Sequence, residues 1–231
     1  MGTVSNLVVS AGRWPVTALL DLLAPPRCLA CRRRGGTPLC RPCAARVPLL
    51  GHGCRRCAAP RGQAHACWPD DAPVDGVTAA FDYRGVAAAA ISTAKLAGAH
   101  AGWPGLCAAL LARLERDPPA VDVVTWITTP TARSHQRGGD HAARLAHLVA
   151  SRLRLPVVQL LTAREVPGGR DTYAAVHPLP GTDVLLVDDI LTTGATAWRA
   201  AACLRSAGAG RIHLAVLARA GTHTLGGAPR R

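Results

Sequence analysis

Asp188 and Asp189 stand side by side at the end of an apolar run, and Thr192, Thr193, Gly194, Ala195 and Thr196 follow, the first of them three residues on. Two adjacent acids directly after buried strand residues are costly unless something uses them. Carboxylates accept hydrogen bonds from sugar hydroxyls. The threonine- and glycine-bearing cluster sits where a helix should begin. A helix start attracts anions, because its free N–H groups point outward and its dipole favours negative charge. Threonine hydroxyls add donors, and a glycine at position 194 lets the backbone approach a ligand closely. A phosphate at one end and vicinal hydroxyls at the other describe ribose 5-phosphate. The run is not a Walker loop, since no Gly-Lys-Ser/Thr follows its glycine.

A second chemistry lies near the start of the chain. Seven of the nine cysteines fall within residues 28 to 67. Cys28-Leu-Ala-Cys31 and Cys40-Arg-Pro-Cys43 are two knuckles separated by eight residues. Each can place two thiolates on one cation, and together they complete a tetrahedral four-cysteine site for structural zinc. Arg32, Arg33 and Arg34 beside them offset the charge of the thiolates. A third knuckle, Cys54-Arg-Arg-Cys57, precedes Cys67, with His52 and His65 close by. This set reads either as a second site of three cysteines and one histidine or as reduced thiols with no metal. Cys107 and Cys203 fall in helical patterns and are expected to pack as small apolar residues.

These groups need a scaffold to position them. The 231 residues allow one medium domain and a small module. Residues 1–27 include an amphipathic helix over 16–23, and 28–70 form the metal-stapled module. Residues 76–220 form the main domain, and 221–231 are expected to be disordered. Within the main domain, hydrophobic periodicity predicts strands at 77–83, 121–130, 155–161, 184–187 and 211–219. Helices are expected at 86–98, 104–115, after a capping Asp140, and at 194–207, with a loop over 162–182. Alternating strands and helices make a parallel sheet covered on both faces, with ligands bound beyond the carboxyl ends of strands. No internal repeat is visible. No window offers about 18 uninterrupted apolar residues, so no membrane span is expected. The first residues lack a basic n-region and a cleavage site, which predicts a cytoplasmic protein.

The formal charge of +13 comes almost entirely from arginine, Lys95 being the only lysine. Such a balance points to phosphate, whether on nucleic acid or on a small anion. Clustered aromatics for base stacking are absent, which argues against sequence-specific readout of single strands.

The run from Val184 to Thr196 is similar to the phosphoribosyl pyrophosphate motif of type I phosphoribosyltransferases. With the paired knuckles, the lead into Pro25-Pro26-Arg27-Cys28, Tyr83-Arg84-Gly85 ahead of Lys95, and Pro130 ahead of Arg137-Gly138, residues 16 to 220 resemble the ComF/GntX family of phosphoribosyltransferase-like competence proteins. The resemblance implies an α/β fold, with a type I phosphoribosyltransferase-like parallel sheet, flanking helices and a small N-terminal four-cysteine zinc-finger module. It implies that Asp188 and Asp189 contact the ribose 2- and 3-hydroxyls, that Thr192 to Thr196 cradle the 5-phosphate, and that Mg2+ accompanies the pyrophosphate. Lys95, Arg133 and Arg137 become the candidates to meet that pyrophosphate. The implied role is DNA uptake in natural transformation, with single-stranded DNA and other uptake proteins as partners. A metabolic phosphoribosyltransferase acting on a nucleobase, and a non-catalytic nucleic-acid adaptor, are the alternatives. Two departures stand out. Gly139-Asp140-His141-Ala142 replaces the family's Asn-Gln-Ala-like run, and residues 162–177 replace, in shortened form, its Gln- and Arg/Asn-containing segment before the final motif. Thr192, moreover, stands where some purine-specific relatives carry an acid as general base.

Overall fold

The computed structural model describes residues 27–34, 38–51, 53–60, 62, 65, 67–96, 102–130, 140–166 and 170–221. The helix expected at 16–23, the tail beyond 221, His52, Arg133 and Arg137 lie outside them.

Among the described residues the cysteine-rich segment has one short helix, α1 (Arg41–Ala44), entered through Cys40 with a proline in its first turn. Then come β1 (Gly76–Asp82), α2 (Gly85–Leu96), α3 (Trp103–Arg116), β2 (Val123–Trp126), α4 (His141–Leu153), β3 (Leu161–Arg164), β4 (Thr172–Ala175), β5 (Val184–Leu191), α5 (Ala195–Ser206) and β6 (Ile212–Arg219). The main sheet has the order β1-β6-β5-β2, and each of its pairs is parallel.

The central strand shows why the sheet forms. Val184, Leu185, Leu186 and Val187 are all fully buried. Successive side chains of a strand point to opposite faces. Val184 and Leu186 accordingly join the apolar cluster that holds Trp68, Trp198 and Leu204. Leu185 and Val187 join the other cluster, with Trp103, Leu145 and Leu217. A run that is apolar at every position thus reads as a strand buried on both faces. The cysteine-rich segment contributes to both clusters, Leu29 to one and Cys57 with Trp68 to the other. It also covers the edge of β1: Leu50 N–H donates to Ala80 O at 2.9 Å, and Asp82 N–H to Pro48 O at 2.8 Å. The stretch that joins this segment to the main domain, 69–75, is anchored, since Asp75 pairs with Arg205 at 2.6 Å.

α4 begins as expected. The Asp140 side chain accepts from Ala142 N and Ala143 N at 3.1 and 3.2 Å. Two expectations fail. The strand expected at 155–161 is reduced to a single parallel bridge between Val124 and Val157. Pairing ends there because the next free amide, Leu160 N–H, is taken by the Thr125 hydroxyl at 3.1 Å rather than by a strand carbonyl. The loop expected at 162–182 contains an antiparallel hairpin, β3 with β4, in register from Leu161↔Ala175 to Arg164↔Thr172. Only Leu161 of its eight strand residues is buried, so the hairpin left no strong apolar alternation to read. No helix among the described residues is long and apolar enough to cross a membrane.

Candidate functional site

The ligand atoms of Cys28, Cys31, Cys40 and Cys43 all lie within 4.8 Å of one another, and the Cys31 and Cys40 sulfurs are 3.6 Å apart. A tetrahedral zinc with Zn–S bonds of about 2.3 Å requires sulfur–sulfur edges of about 3.8 Å. The four residues fit zinc. The backbone builds this geometry with a tight turn. Cys28 N–H donates to Arg33 O at 2.8 Å, Arg32 N–H donates to Cys28 O at 2.9 Å, and Arg32 takes a left-handed φ of 63°. Burial pushes the Cys28 thiol up, but the N–H groups of Cys31, Cys40 and Ala30 outweigh it and bring the thiol down to about 6.

The third knuckle repeats the turn. Cys54 N–H donates to Ala59 O at 2.9 Å, Ala58 N–H donates to Cys54 O at 2.7 Å, and Ala58 has φ 55°. The bridges Arg27↔Arg34 and Gly53↔Pro60 close the two turns alike. The segment therefore does contain an internal repeat, contrary to expectation: the Cys28 and Cys54 knuckles are each closed by the same turn. Cys54, Cys57, His65 and Cys67 converge within the same 4.8 Å, with the Cys54 and Cys67 sulfurs 3.7 Å apart. Of the two readings open for these thiols, the geometry fits a Cys3His zinc site, with His65 as the fourth ligand. Burial raises the Cys54 thiol, but hydrogen bonds from His65 and the Arg56 and Cys57 N–H groups bring it to about 6. Burial pushes Cys107 up to about 12, as expected of a packed thiol.

The second site lies on β5. The strand runs to Leu191, so Asp188 and Asp189 sit inside it rather than beyond its end. Asp189 N–H donates to Asp188 Oδ1 at 2.8 Å, and Lys95 Nζ is 2.6 Å from Asp189 Oδ2. Lys95 comes from the last turn of α2. Desolvation first, then the charge of Asp189, holds the Asp188 carboxyl well above the usual carboxylate range. A residue to which the sequence alone assigns no role joins this end. His141 is buried and stacks on Trp103, the ring centroids 5.4 Å apart. Burial lowers its pKa first, with Asp189 opposing and Lys95 adding to the effect. Its position beside a capping aspartate was the available signal.

Beyond Leu191 the chain turns into α5. Thr192, Thr193 and Thr196 are exposed, while Gly194 is buried with φ 77° and receives no side-chain cap. Ala195 N–H has only a long contact to Thr193 Oγ1, 3.4 Å, and the helix opens with Trp198 N–H donating to Gly194 O at 2.8 Å. A cavity of about 70 Å³ lies against this turn, lined by Asp188, Thr192, Gly194 and Thr196 among others. It is far below the roughly 300–1,000 Å³ of a drug-sized pocket, and is of a size for a small anion. Trp68 closes the turn from behind: a Cβ on Gly194 would lie 2.3 Å from the indole ring.

Two family models match the chain. One, a double zinc ribbon domain, matches residues 19–69. The other, a phosphoribosyl transferase domain, matches residues 139–225. No curated protein matches. Similar solved structures include a purine phosphoribosyltransferase from Pyrococcus horikoshii Ot3, 21% identical, with 51% of this chain and 72% of that chain covered and a TM-score of 0.36. An orotate phosphoribosyltransferase from Aeropyrum pernix is 23% identical, with 56% and 66% covered and a TM-score of 0.38.

Proposed function

Starting from a chain that joins a double zinc ribbon domain to a phosphoribosyl transferase domain, we propose a ComF-type protein that binds phosphoribosyl pyrophosphate and acts in the uptake of single-stranded DNA. One observation carries the ligand assignment. The adjacent acids of β5 lead, within five residues, into the uncapped start of α5 with a small cavity against it. The α5 amides with Thr192, Thr193 and Thr196 take the 5-phosphate. Asp188 and Asp189 accept from the ribose hydroxyls. Lys95, held by Asp189 in the free protein, exchanges that carboxylate for the pyrophosphate, with Arg137 as its partner. Mg2+ would supply charge neutralisation on the pyrophosphate oxygens when bound.

The reaction this arrangement serves is displacement at C1 of the ribose. The bond to pyrophosphate breaks, pyrophosphate leaves with the electron pair, and the acceptor's lone pair forms the new bond. Thr192 provides no carboxylate to deprotonate an acceptor, so the acceptor arrives already nucleophilic. The DNA assignment rests on charge. Arg32, Arg33 and Arg34 are exposed beside the first zinc site. Arg55 and Arg56 belong to the same arginine-rich module, but Arg55 lies 3.5 Å from Asp117 and Arg56 2.7 Å from Asp70, so these two are partly neutralised.

The test is calorimetric titration of phosphoribosyl pyrophosphate with Mg2+. Saturable binding that is lost in an Asp188→Asn/Asp189→Asn variant retaining the wild-type fold supports the assignment. Absence of binding by the wild type would overturn it. Product formation with nucleobases marks the metabolic reading, and salt-dependent single-strand binding marks the uptake reading.

A further inference from the structure

Trp68 stands directly after Cys67, a ligand of the Cys3His cluster, and it is 2% exposed. Its ring packs against the turn that opens α5 on two sides. Toward Gly194, an added Cβ would meet three ring carbons at 2.3, 3.0 and 3.1 Å. Toward α5, the ring lies against Trp198 with centroids 5.8 Å apart and planes inclined by 37°. Gly194 has a left-handed backbone, and the amides of the next residues take their direction from it. The indole therefore leaves this turn little freedom to relax.

The indole is held in turn by the cluster. Cys67 converges with Cys54 and Cys57 of the knuckle, their ligand atoms within 4.8 Å of one another, so a bound metal would tie the three together. Arg56 of the knuckle grips the chain just past Trp68, donating to Pro69 O at 2.9 Å and Asp70 Oδ1 at 2.7 Å. Cys57 O is fixed from the sheet by buried Arg219, whose Nε lies 2.8 Å away and whose Cα pairs with Leu191, the last residue of β5. Knuckle, indole and the carboxyl end of β5 thus form one contiguous unit. The four-cysteine cluster takes another route. Its Leu29 packs at Gly102 beside Trp103, in the apolar cluster on the opposite face of the sheet.

We propose that the Cys54/Cys57/His65/Cys67 metal site positions the phosphate-binding turn through Trp68, so that metal occupancy of this one cluster sets the order of residues 193–198 and, with it, anion affinity. The affinity part rests on the reading of the turn given above, while the ordering part does not. Trp68 is a positioning residue, since it acts through Gly194.

The test uses the full-length zinc-loaded chain with Trp68→Ala, Trp68→Phe, Cys67→Ser and Cys43→Ser. Elemental analysis gives the zinc content, amide hydrogen exchange the order of residues 193–198, and calorimetry the affinity for phosphoribosyl pyrophosphate. Trp68→Ala is expected to keep its zinc, to exchange about tenfold faster at the turn, and to bind about tenfold more weakly. Trp68→Phe should recover most of both. Cys67→Ser should loosen the turn, and Cys43→Ser, which empties the other cluster, should not. The proposal fails if zinc-loaded Trp68→Ala exchanges like the wild type, or if Cys43→Ser loosens the turn as much as Cys67→Ser. If Trp68→Ala loses its zinc, the comparison of Cys67→Ser with Cys43→Ser decides by the same criterion. A turn that follows Trp68 in a wild type with no affinity for phosphoribosyl pyrophosphate would uphold the ordering and sink the ligand assignment.

Discussion

Asp188 and Asp189 differ although they are neighbours. Asp189 has Lys95 at 2.6 Å, whereas Asp188 is held above the usual carboxylate range by desolvation and by Asp189. A carboxyl raised on folding costs stability as pH rises from its unfolded value, about 4, through its folded one, because the native state keeps a proton that the unfolded chain releases. Asp188→Asn should therefore hold or raise thermal stability at pH 7 while losing ligand affinity. Asp189→Asn should do the opposite to stability, since it strands a largely buried ammonium. A double-mutant cycle with Lys95→Met should return a coupling of about 1–3 kcal/mol by chemical denaturation, and an additive result would dismiss the pair. Gly194→Val, in contrast, is a poor probe of phosphate contact. It collides with Trp68 and strains a φ of 77°, so it lowers stability whether or not a ligand binds. His213 gives a separate pH signature. Burial pushes it down to about 4, and Thr78 Oγ1 lies 2.8 Å from its Nε2. Its folded value lies below its unfolded one of about 6.5, so stability is full above that pH. Stability then falls by about 1.4 kcal/mol per pH unit toward 4, as the unfolded chain alone takes up the proton. Urea denaturation across this range should show the slope, and His213→Gln should flatten it.

At the scale of elements, periodicity was a sound guide wherever burial is continuous. β5 was legible because both of its faces are covered, and α4 because Asp140 announces it. Leu185→Ala should accordingly cost about 2–5 kcal/mol in urea denaturation, the range for truncating a fully buried leucine. Gly194 was legible as a position where glycine's backbone matters, and it has φ 77°, but the tryptophan behind it was not, because 125 residues lie between Trp68 and Gly194 and no local pattern joins them. The same holds for His65. The spacing from Cys57 to Cys67 is not that of a knuckle, so only the fold shows which histidine closes the cluster. Residues 155–161 misled for a different reason. An apolar run there has strand propensity, yet a side-chain hydroxyl from Thr125 captures the amide that would continue the ladder.

In the molecule as a whole, two candidate metal-binding clusters flank one sheet, and the segment that carries each sends an apolar side chain to a different face. Elemental analysis of protein purified under reducing conditions should find two zinc ions per chain, one of them lost in Cys40→Ser and the other in Cys67→Ser. Replacing Arg32, Arg33 and Arg34 by Ser should lower the slope of log affinity for single strands against log salt by up to about 2, at about 0.7 for each phosphate no longer neutralised. An unchanged slope would mark the patch as ordinary solvated surface. The hydrogen bond between Arg219 and Cys57 spans 162 residues, and this has a consequence for biosynthesis. Chains emerge from the ribosome at about 5–20 residues per second, so the ribbon waits roughly 8–30 s for the strand that will hold it. During that interval its thiols have no sheet to shelter them. Metal capture by the nascent chain is then the earliest event that can protect them from oxidation, and docking on the sheet comes only after the last strand has been made.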